Sequence, residues 1–560
     1  IRYVAVTGVQ TCALPILEGP GGLRLRQGGT NGPIRARWTE LSLGPAAAND
    51  KAGCQLRVSA TDLALGETIV TERAVRLGTQ GQRSSYLLWT ESSMQRVMPR
   101  AFPNAVPAQA SYSLSLAGGE YESFQIVLLA PPEQPLRQVE VQVSDLVCRE
   151  NNQRLAATNI QWHQVGYVKV DRPMKHPSVS DAAGGWWPDP LLPVRNFEVP
   201  PDFAQPIWVT VYAPPGTPAG VYAGSITLRP RGVEAKRVAV TATAHGFTLP
   251  KEGHLKTAFA LMDGFLERVY GTPLTPELRQ RYGDYVLAHR LNPDDISRTS
   301  PPALEDLRHY RDRGLNAFNA LNMVEERGRH AWVCFSPLET YTPAFKQRLT
   351  ARLDPYVEAL RREGLANKAY IYTFDERGPE YFPVIREYFG MVKKNYPEIH
   401  TLTTAYVPQD PKIMRDLNVD WNCPVSSVYR LEAADRCRAE GLQVWSYICC
   451  GPRYPYANWM ADDPLIEARV IWWQAYQQKM DGFLYWGLNI WDLPSNGRPI
   501  DPAQSAFLEW SIHSAEQFYG DGRLLYPGKD GPIGSIRLAN IRDGLEDYEY
   551  LWLLAEKSGD

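Results

Sequence analysis

The sequence lacks most of the patterns that announce cofactor or nucleic-acid chemistry. Its 560 residues hold eight cysteines (Cys12, Cys54, Cys148, Cys334, Cys423, Cys437, Cys449 and Cys450) and nine histidines. There is no C-x-x-C, no histidine pair at zinc-finger spacing and no H-E-x-x-H, so no zinc site is expected and the thiols read as ordinary small buried residues. G-x-G-x-x-G and P-loop motifs are missing, which argues against dinucleotide and NTP chemistry. No apolar run approaches the ~18–20 residues that cross a bilayer. Charge of one sign is missing too: 59 basic against 62 acidic residues leave a net charge of −3. That excludes a generally basic nucleic-acid binder, though not a local patch. Internal repeats and low-complexity tracts are not seen.

Aromatic residues are abundant, with 16 Trp, 29 Tyr and 16 Phe. Trp and Tyr combine a flat apolar face with one polar edge, which suits sugars and equally suits the core of a β-rich protein. Residues 1–16, IRYVAVTGVQTCALPI, resemble translated sequencing-adapter read-through, with a plain β-strand as the alternative. On the first view the natural start and any signal peptide are missing, and the stretch is set aside. Residues 17–87 are Gly-rich with short alternating runs and read as part of a β-rich domain.

Residues 88–250 read as a β-sandwich. Val139-Glu140-Val141-Gln142-Val143-Ser144 alternates strictly, as do Phe124, Ile126 and Leu128, and Val238, Val240, Ala242 and Ala244. Period-2 alternation buries one face of a strand and wets the other. Dense turns such as Pro214-Pro215-Gly216-Thr217-Pro218-Ala219-Gly220 suggest two packed antiparallel sheets. Beyond Leu249-Pro250 the rhythm changes. Candidate strands at Thr257–Leu261, Ala317–Asn322, Ala369–Phe374, Thr401–Val407, Val419–Pro424, Val444–Cys449 and Gly482–Trp491, with a weaker one near Asp295–Thr299, alternate with helix-length segments. Thr275-Pro276, Ser300-Pro301, Thr342-Pro343 and Asp463-Pro464 each place an N-cap side chain before proline. Residues 251–560 are therefore expected to form a (β/α)8 TIM-type barrel, with an open doubly wound sheet as the rival. Ile541–Ala555 reads as a closing helix. Its acidic residues Asp543, Glu546, Asp547 and Glu549 are expected on a solvated face or against Arg537 and Arg542, rather than on a metal.

The strongest chemical signal is Lys368-Ala369-Tyr370-Ile371-Tyr372-Thr373-Phe374-Asp375-Glu376-Arg377-Gly378-Pro379. An apolar strand runs into two consecutive carboxylates, and strand C-termini form the active-site face of a barrel. Close carboxylates do not ionise independently, so one is expected to hold its proton near neutral pH. One neutral acid beside one carboxylate is the equipment for glycosidic cleavage. A conventional retaining pair sits ~5–5.5 Å apart on opposite sides of the sugar. Neighbouring residues approach from one side, which fits catalysis assisted by the substrate's own 2-acetamido group. The alternative is a solvated strand-end turn with either acid paired to Arg377.

Several motifs together resemble glycoside hydrolase family 123, over roughly the 470 residues from Leu88 onward. They are Gly119-Glu120-Tyr121-Glu122, Trp186-Trp187-Pro188-Asp189-Pro190-Leu191-Leu192-Pro193, and Pro218-Ala219-Gly220-Val221-Tyr222-Ala223-Gly224. Phe374-Asp375-Glu376, Leu484-Tyr485-Trp486-Gly487 and Gly522-Arg523-Leu524-Leu525-Tyr526-Pro527-Gly528 follow. Ile541-Arg542-Asp543-Gly544-Leu545-Glu546-Asp547-Tyr548-Glu549-Tyr550-Leu551 completes the set. The resemblance implies a β-sandwich ahead of a (β/α)8 barrel and a β-N-acetylgalactosaminidase-like activity without a cofactor. Its substrate would be a glycan or glycolipid, and bacterial export is favoured. It implies that Asp375 holds the acetamido N–H and stabilises an oxazolinium intermediate, and that Glu376 is general acid and then general base.

Strand-end positions supply further candidates for binding substrate: Tyr372, Asn422, Tyr447, Trp486, Asn489, Trp491, Asp263 and Asn322. Trp186 and Trp187, expected on a Gly/Pro-rich loop, are candidates for a distal sugar, with packing at a domain interface as the alternative. Rival readings are a glycosidase whose second carboxylate is Asp263, Glu325 or Asp492, a non-catalytic carbohydrate-binding protein, and a surface protein that uses the sandwich for contacts. A thiazoline mimic of the oxazoline, and release of aryl aglycone, separate the first two from the lead.

Overall fold

In the computed structural model the described residues are 85–559, except 104–106, 108, 175–183, 272, 326–333, 492–497, 511 and 513–517, together with the backbone of five strands between 15 and 76. Three of those strands, Ala36–Pro45, Gly53–Asp62 and Thr68–Arg76, pair as an antiparallel sheet. Most of the 1–87 reading lies outside the described residues.

Two sheets then face each other. A six-stranded sheet runs in the order Gly185–Leu192, Ile160–Val170, Ala204–Ala213, Glu120–Leu129 and Leu87–Ser92, with Phe507–Leu508 added beside Ile160–Val170. A seven-stranded sheet centres on Gly220–Arg229 and Lys236–Thr248. Val238, Val240, Ala242 and Ala244 alternate inward and meet Phe124, Ile126, Leu128, Ile207 and Val209 from the other sheet. Pairing is mostly antiparallel; Lys236–Thr248 lies parallel to Ser111–Gly118. Alternation fails in Ala204–Ala213, where nearly every residue is buried. The reason is that this sheet is covered on both faces: Trp208 points away from the sandwich core and packs with Ile536 and Ala539 of the C-terminal helix.

The second half is a ring of parallel strands. Phe318–Asn322, Ala369–Tyr372, His400–Thr403, Trp421–Asn422 and Gln443–Val444 form one run, and Ser446–Ile448, Gly482–Tyr485, Lys256–Ala260 and Pro293–Asp294 the other. Only Trp445 separates Gln443–Val444 from Ser446–Ile448, so the chain itself carries one seam. At the other, the Asp294 carboxylate accepts the Asn319 amide (2.9 and 3.0 Å), and Asn322 N–H donates to the Arg298 carbonyl (2.6 Å). The weak strand expected at Asp295–Thr299 is Pro293–Asp294, a few residues earlier.

Two expected helix starts hold: Thr275 and Thr342 cap Pro276–Ala288 and Pro343–Glu363 by accepting the Leu278 and Phe345 amides. Two are displaced. The helix after Ser300-Pro301 begins at Leu304 without a side-chain cap, and Asp463 accepts the Met460 amide while the helix begins at Ile466. The closing helix is longer than expected, Ile536–Ser558, capped by Ser535. Its acidic residues are not on a solvated face. Asp543, Glu546 and Glu549 are buried, because this helix lies between sandwich and barrel. It crosses Ile466–Gln477 so closely that a Cβ on Gly544 would lie 2.3 Å from the Trp472 ring. Among the described residues, no helix is long and apolar enough to cross a membrane.

Candidate active site

The strand Ala369–Tyr372 is wholly buried and ends at the mouth of the ring. The backbone then turns left-handed twice, at Phe374 (φ 62°) and Glu376 (φ 50°). Neither is glycine, and a bulky residue there is strained by of order 1–3 kcal/mol. Packing holds the strained turn in place: the buried Phe374 ring packs against Tyr341, Tyr381 and Phe389, Thr403 Oγ1 donates to the Thr373 carbonyl (2.8 Å), and Arg377 Nε donates to the Asp375 carbonyl (2.8 Å). The result is that Asp375 and Glu376 both stand half-buried at the mouth.

Each carboxylate has its own tyrosine. Tyr372 OH donates to Asp375 Oδ1 at 2.6 Å, and Thr404 Oγ1 donates to the same oxygen at 2.8 Å. The Cys334 thiol also donates to Asp375, and burial, reinforced by that carboxylate, keeps the thiol protonated. Tyr447 OH, from the Ser446–Ile448 strand, donates to Glu376 Oε1 at 2.6 Å. Burial first, and the neighbouring carboxylate second, push both tyrosine hydroxyls far above the usual phenol range. They therefore stay donors at any physiological pH. Tyr406, exposed at the same rim, is raised for the same reasons, with Glu376 the larger charge, and its backbone N–H donates to the Arg377 carbonyl (2.8 Å).

Tyr372 and Tyr447 are thus brought onto the carboxylates. The other expected contacts fall elsewhere. Trp486 is half-buried on the rim, its Nε1 donating to Asp521 Oδ1 (2.8 Å). Asn422 is buried, with its amide nitrogen on the Val407 carbonyl (2.9 Å). Asn489 is spent on backbone: its Oδ1 accepts the Met262 amide (2.9 Å) and its Nδ2 donates to the Met262 carbonyl (3.0 Å). Trp491 is core, with Nε1 on the Leu525 carbonyl (2.8 Å). These two are corrections: the barrel strand ends at Tyr485, and the run after it is held against the end of the neighbouring Lys256–Ala260 strand, with Asn489 spent on Met262 and Trp491 packed in the core. Asn322 is buried at the end of its strand. Asp263 opens the helix Asp263–Tyr270 and pairs with Arg279 (2.9 Å).

Trp186 and Trp187 lie on the strand Gly185–Leu192, not on a loop. Strand alternation separates them. Trp187 is fully buried with Arg96 over its ring (5.6 Å), so it has no face to offer a sugar, and Trp186 packs edge-on against Phe507 (5.2 Å). Of the rival second carboxylates, Glu325 is exposed and Asp492 lies outside the described residues. Thr404, Cys334, Tyr406 and Asp521 were not foreseen. Thr404 directly follows the His400–Thr403 strand, so a search of strand ends could have included it; Cys334 lies on an irregular loop with no such signal.

The remaining motifs tie the sandwich to the barrel. Asp189 accepts Nε and Nη2 of Arg537, both at 2.8 Å, and the Tyr526 hydroxyl. The Tyr121 amide donates to Glu546 (3.1 Å), Arg542 donates to Ser123 (2.9 Å) and Asp543 (2.8 Å), and Arg469 bridges Glu122 (3.1 Å) and Asp547 (2.7 Å).

Comparison with known proteins agrees with this architecture. No curated protein matches the chain. A solved family 123 glycoside hydrolase from Clostridium perfringens, described for glycolipid glycan hydrolysis, superposes with a TM-score of 0.64 at 15% identity, over 85% of this chain and 90% of that one. A GH5 xyloglucanase from Bacteroides ovatus, at 10% identity over 77% of this chain and 98% of its own, reaches a TM-score of only 0.24. The family model for the glycoside hydrolase 123 catalytic domain matches residues 313–554, and that for the glycoside hydrolase 123 N-terminal domain matches 103–230. With about two thirds of its length matched by models of one family, the chain belongs to glycoside hydrolase family 123.

Proposed function

We propose that the chain removes terminal β-linked N-acetylhexosamine, N-acetylgalactosamine preferred, from a glycan or glycolipid, with retention and with help from the substrate's acetamido group. The observation that carries this reading is the adjacent pair Asp375 and Glu376 at the mouth of the parallel ring, each fixed by its own tyrosine hydroxyl. In the first step the acetamido oxygen attacks the anomeric carbon while Glu376 gives a proton to the departing oxygen. Asp375, with one oxygen held by Tyr372 and Thr404, has the other to accept the acetamido N–H and stabilise the oxazolinium ion. Water then opens the ring with Glu376 as base. Two carboxylates on one backbone segment reach the sugar from one side, which suits an internal nucleophile better than a second carboxylate across the ring. The glycolipid option draws support from the described activity of the C. perfringens structure.

Glu376→Gln tests the role directly. It should lower kcat on an aryl N-acetyl-β-galactosaminide by ~10²–10⁴ and leave the unfolding temperature unchanged; near-normal turnover removes Glu376 from the mechanism. Tight inhibition by a thiazoline, and no turnover of aryl galactosides lacking the acetamido group, should accompany it.

A further inference from the structure

The mouth carries a second reactive pair. The strand that brings Tyr447 to Glu376 runs straight into Cys449 and Cys450. Both are half-buried free cysteines, with their sulfurs 3.8 Å apart. The loop around them is fixed on both sides. Cys449 N–H donates to the Gly451 carbonyl (2.8 Å), Arg453 Nε to the Cys450 carbonyl (3.2 Å), and Asn458 Nδ2 to the carbonyls of Cys449 (2.9 Å) and Pro452 (3.0 Å). The two thiols are not equivalent. The hydrogen bond from Cys449 draws the Cys450 thiol down to about 7, helped by Arg453 and opposed by burial, Asp521 and Glu376. The same hydrogen bond, with burial, raises Cys449. The opposite directions of these shifts favour Cys450 as the attacking sulfur and Cys449 as the resolving one.

We propose that Cys449 and Cys450 are an oxidation site, closed by hydrogen peroxide to a vicinal disulfide that draws Tyr447 away from Glu376. The Cys450 thiolate attacks one peroxide oxygen, the O–O bond breaks, and the departing hydroxide takes a proton to become water. The Cys449 sulfur then attacks the resulting sulfenic sulfur; the S–S bond forms, and the sulfenic hydroxyl leaves with the Cys449 proton as a second water. Two thiols and one peroxide give one disulfide and two waters: the sulfurs lose two electrons and the peroxide gains them. Closure needs the sulfurs to approach from 3.8 Å to about 2.05 Å. Consecutive Cα atoms lie only about 3.8 Å apart, below the ~4.4–6.8 Å of ordinary disulfides, so the eight-membered ring strains its own backbone and is easily reduced. That strain falls two residues from Tyr447. Its effect on turnover rests on the role given to Glu376 above; the closure itself does not.

The test titrates the full chain with hydrogen peroxide and maps its peptides by mass. A 449–450 link with the loss of two hydrogens is expected, with kcat falling about tenfold and returning with dithiothreitol. Cys449→Ser and Cys450→Ser should keep their activity in the same peroxide. No link at 449–450, or equal loss in both serine variants, overturns the proposal. If the untreated chain turns over no N-acetylhexosaminide, the glycosidase reading has failed. A crystal structure of the oxidised chain then decides the switch: a broken Tyr447–Glu376 bond upholds it and an intact one overturns it.

Discussion

The molecule holds two dense groups of carboxylates, and they are treated in opposite ways. Where the sandwich meets the C-terminal helix, Asp189, Glu122, Asp543, Glu546 and Asp547 all sit against arginines. At the mouth, Asp375 and Glu376 have hydroxyl and thiol donors and, among the described residues, no ion pair. An arginine holds a carboxylate in place through charge-assisted hydrogen bonds. A hydroxyl orients it without supplying a countercharge. A run of acidic residues in sequence does not tell these cases apart; the partner does.

The sharpest way to break this contrast is to exchange the penalties. Asp375→Asn should cost ~10²–10⁴ in kcat and nothing in unfolding temperature, because only a mouth contact is lost. Arg537→Met should do the reverse. Asp189 would be left buried without its partner, destabilising the fold by ~3–5 kcal/mol in denaturant titration, while the folded fraction keeps its kcat. Loss of stability in the first variant, or of kcat in the second, would merge the two groups. A smaller effect sharpens the mouth: Tyr447→Phe removes the donor on Glu376 and should lower kcat roughly 10–100-fold with little change in KM, since a hydrogen bond to a charged group is worth ~1.5–3 kcal/mol.

Much of the architecture was legible because periodicity reports burial. Val238, Val240, Ala242 and Ala244 have one wet face, so their strand is plain in sequence. The Ala369–Tyr372 strand announces itself differently, as a buried run followed by two acids. Illegible features share one cause, a second packing partner that local pattern does not encode. The Ala204–Ala213 strand is buried on both faces by a helix more than 300 residues away. For the acidic residues of Ile536–Ser558, the expected pairing with a nearby arginine holds for Asp543 with Arg542, whereas the partners of Glu546 and Asp547, Arg290 and Arg469, lie far off in sequence. Asn489 and Trp491 looked like mouth residues because the apolar run through Leu488 and Ile490 does not mark where the ladder ends: Leu488 N–H still finds the Ala260 carbonyl, but Ile490 N–H turns to Gly522. Tyr372, the last residue of its strand, and Tyr447, inside Ser446–Ile448, were expected to bind substrate; their hydroxyls go to the two carboxylates.

The smallest expected effect bears on two buried carboxylates at the interface, Glu546 against Arg290 and Glu120, which accepts the Tyr550 hydroxyl and the Ala117 amide in place of an arginine. Burial raises Glu546 to about 8 and Glu120 to about 9, in each case as the first cause and with acidic neighbours adding to it. Both values lie above those of the unfolded chain, near 4.3. Between these limits the folded state binds more protons than the unfolded one, so stability is highest below about pH 4–5 with respect to these groups and declines as pH rises through 8 to 9. The unfolding temperature should therefore drop by about 2 °C or more between pH 6 and pH 9. Glu120→Gln, which keeps the shape and cannot ionise, should flatten that decline. Glu376→Gln, which leaves the interface untouched, should retain the full wild-type slope. If the slope vanished in Glu376→Gln and persisted in Glu120→Gln, the proton-sensitive carboxylates of the folded state would be at the mouth and the contrast between the two groups would be reversed.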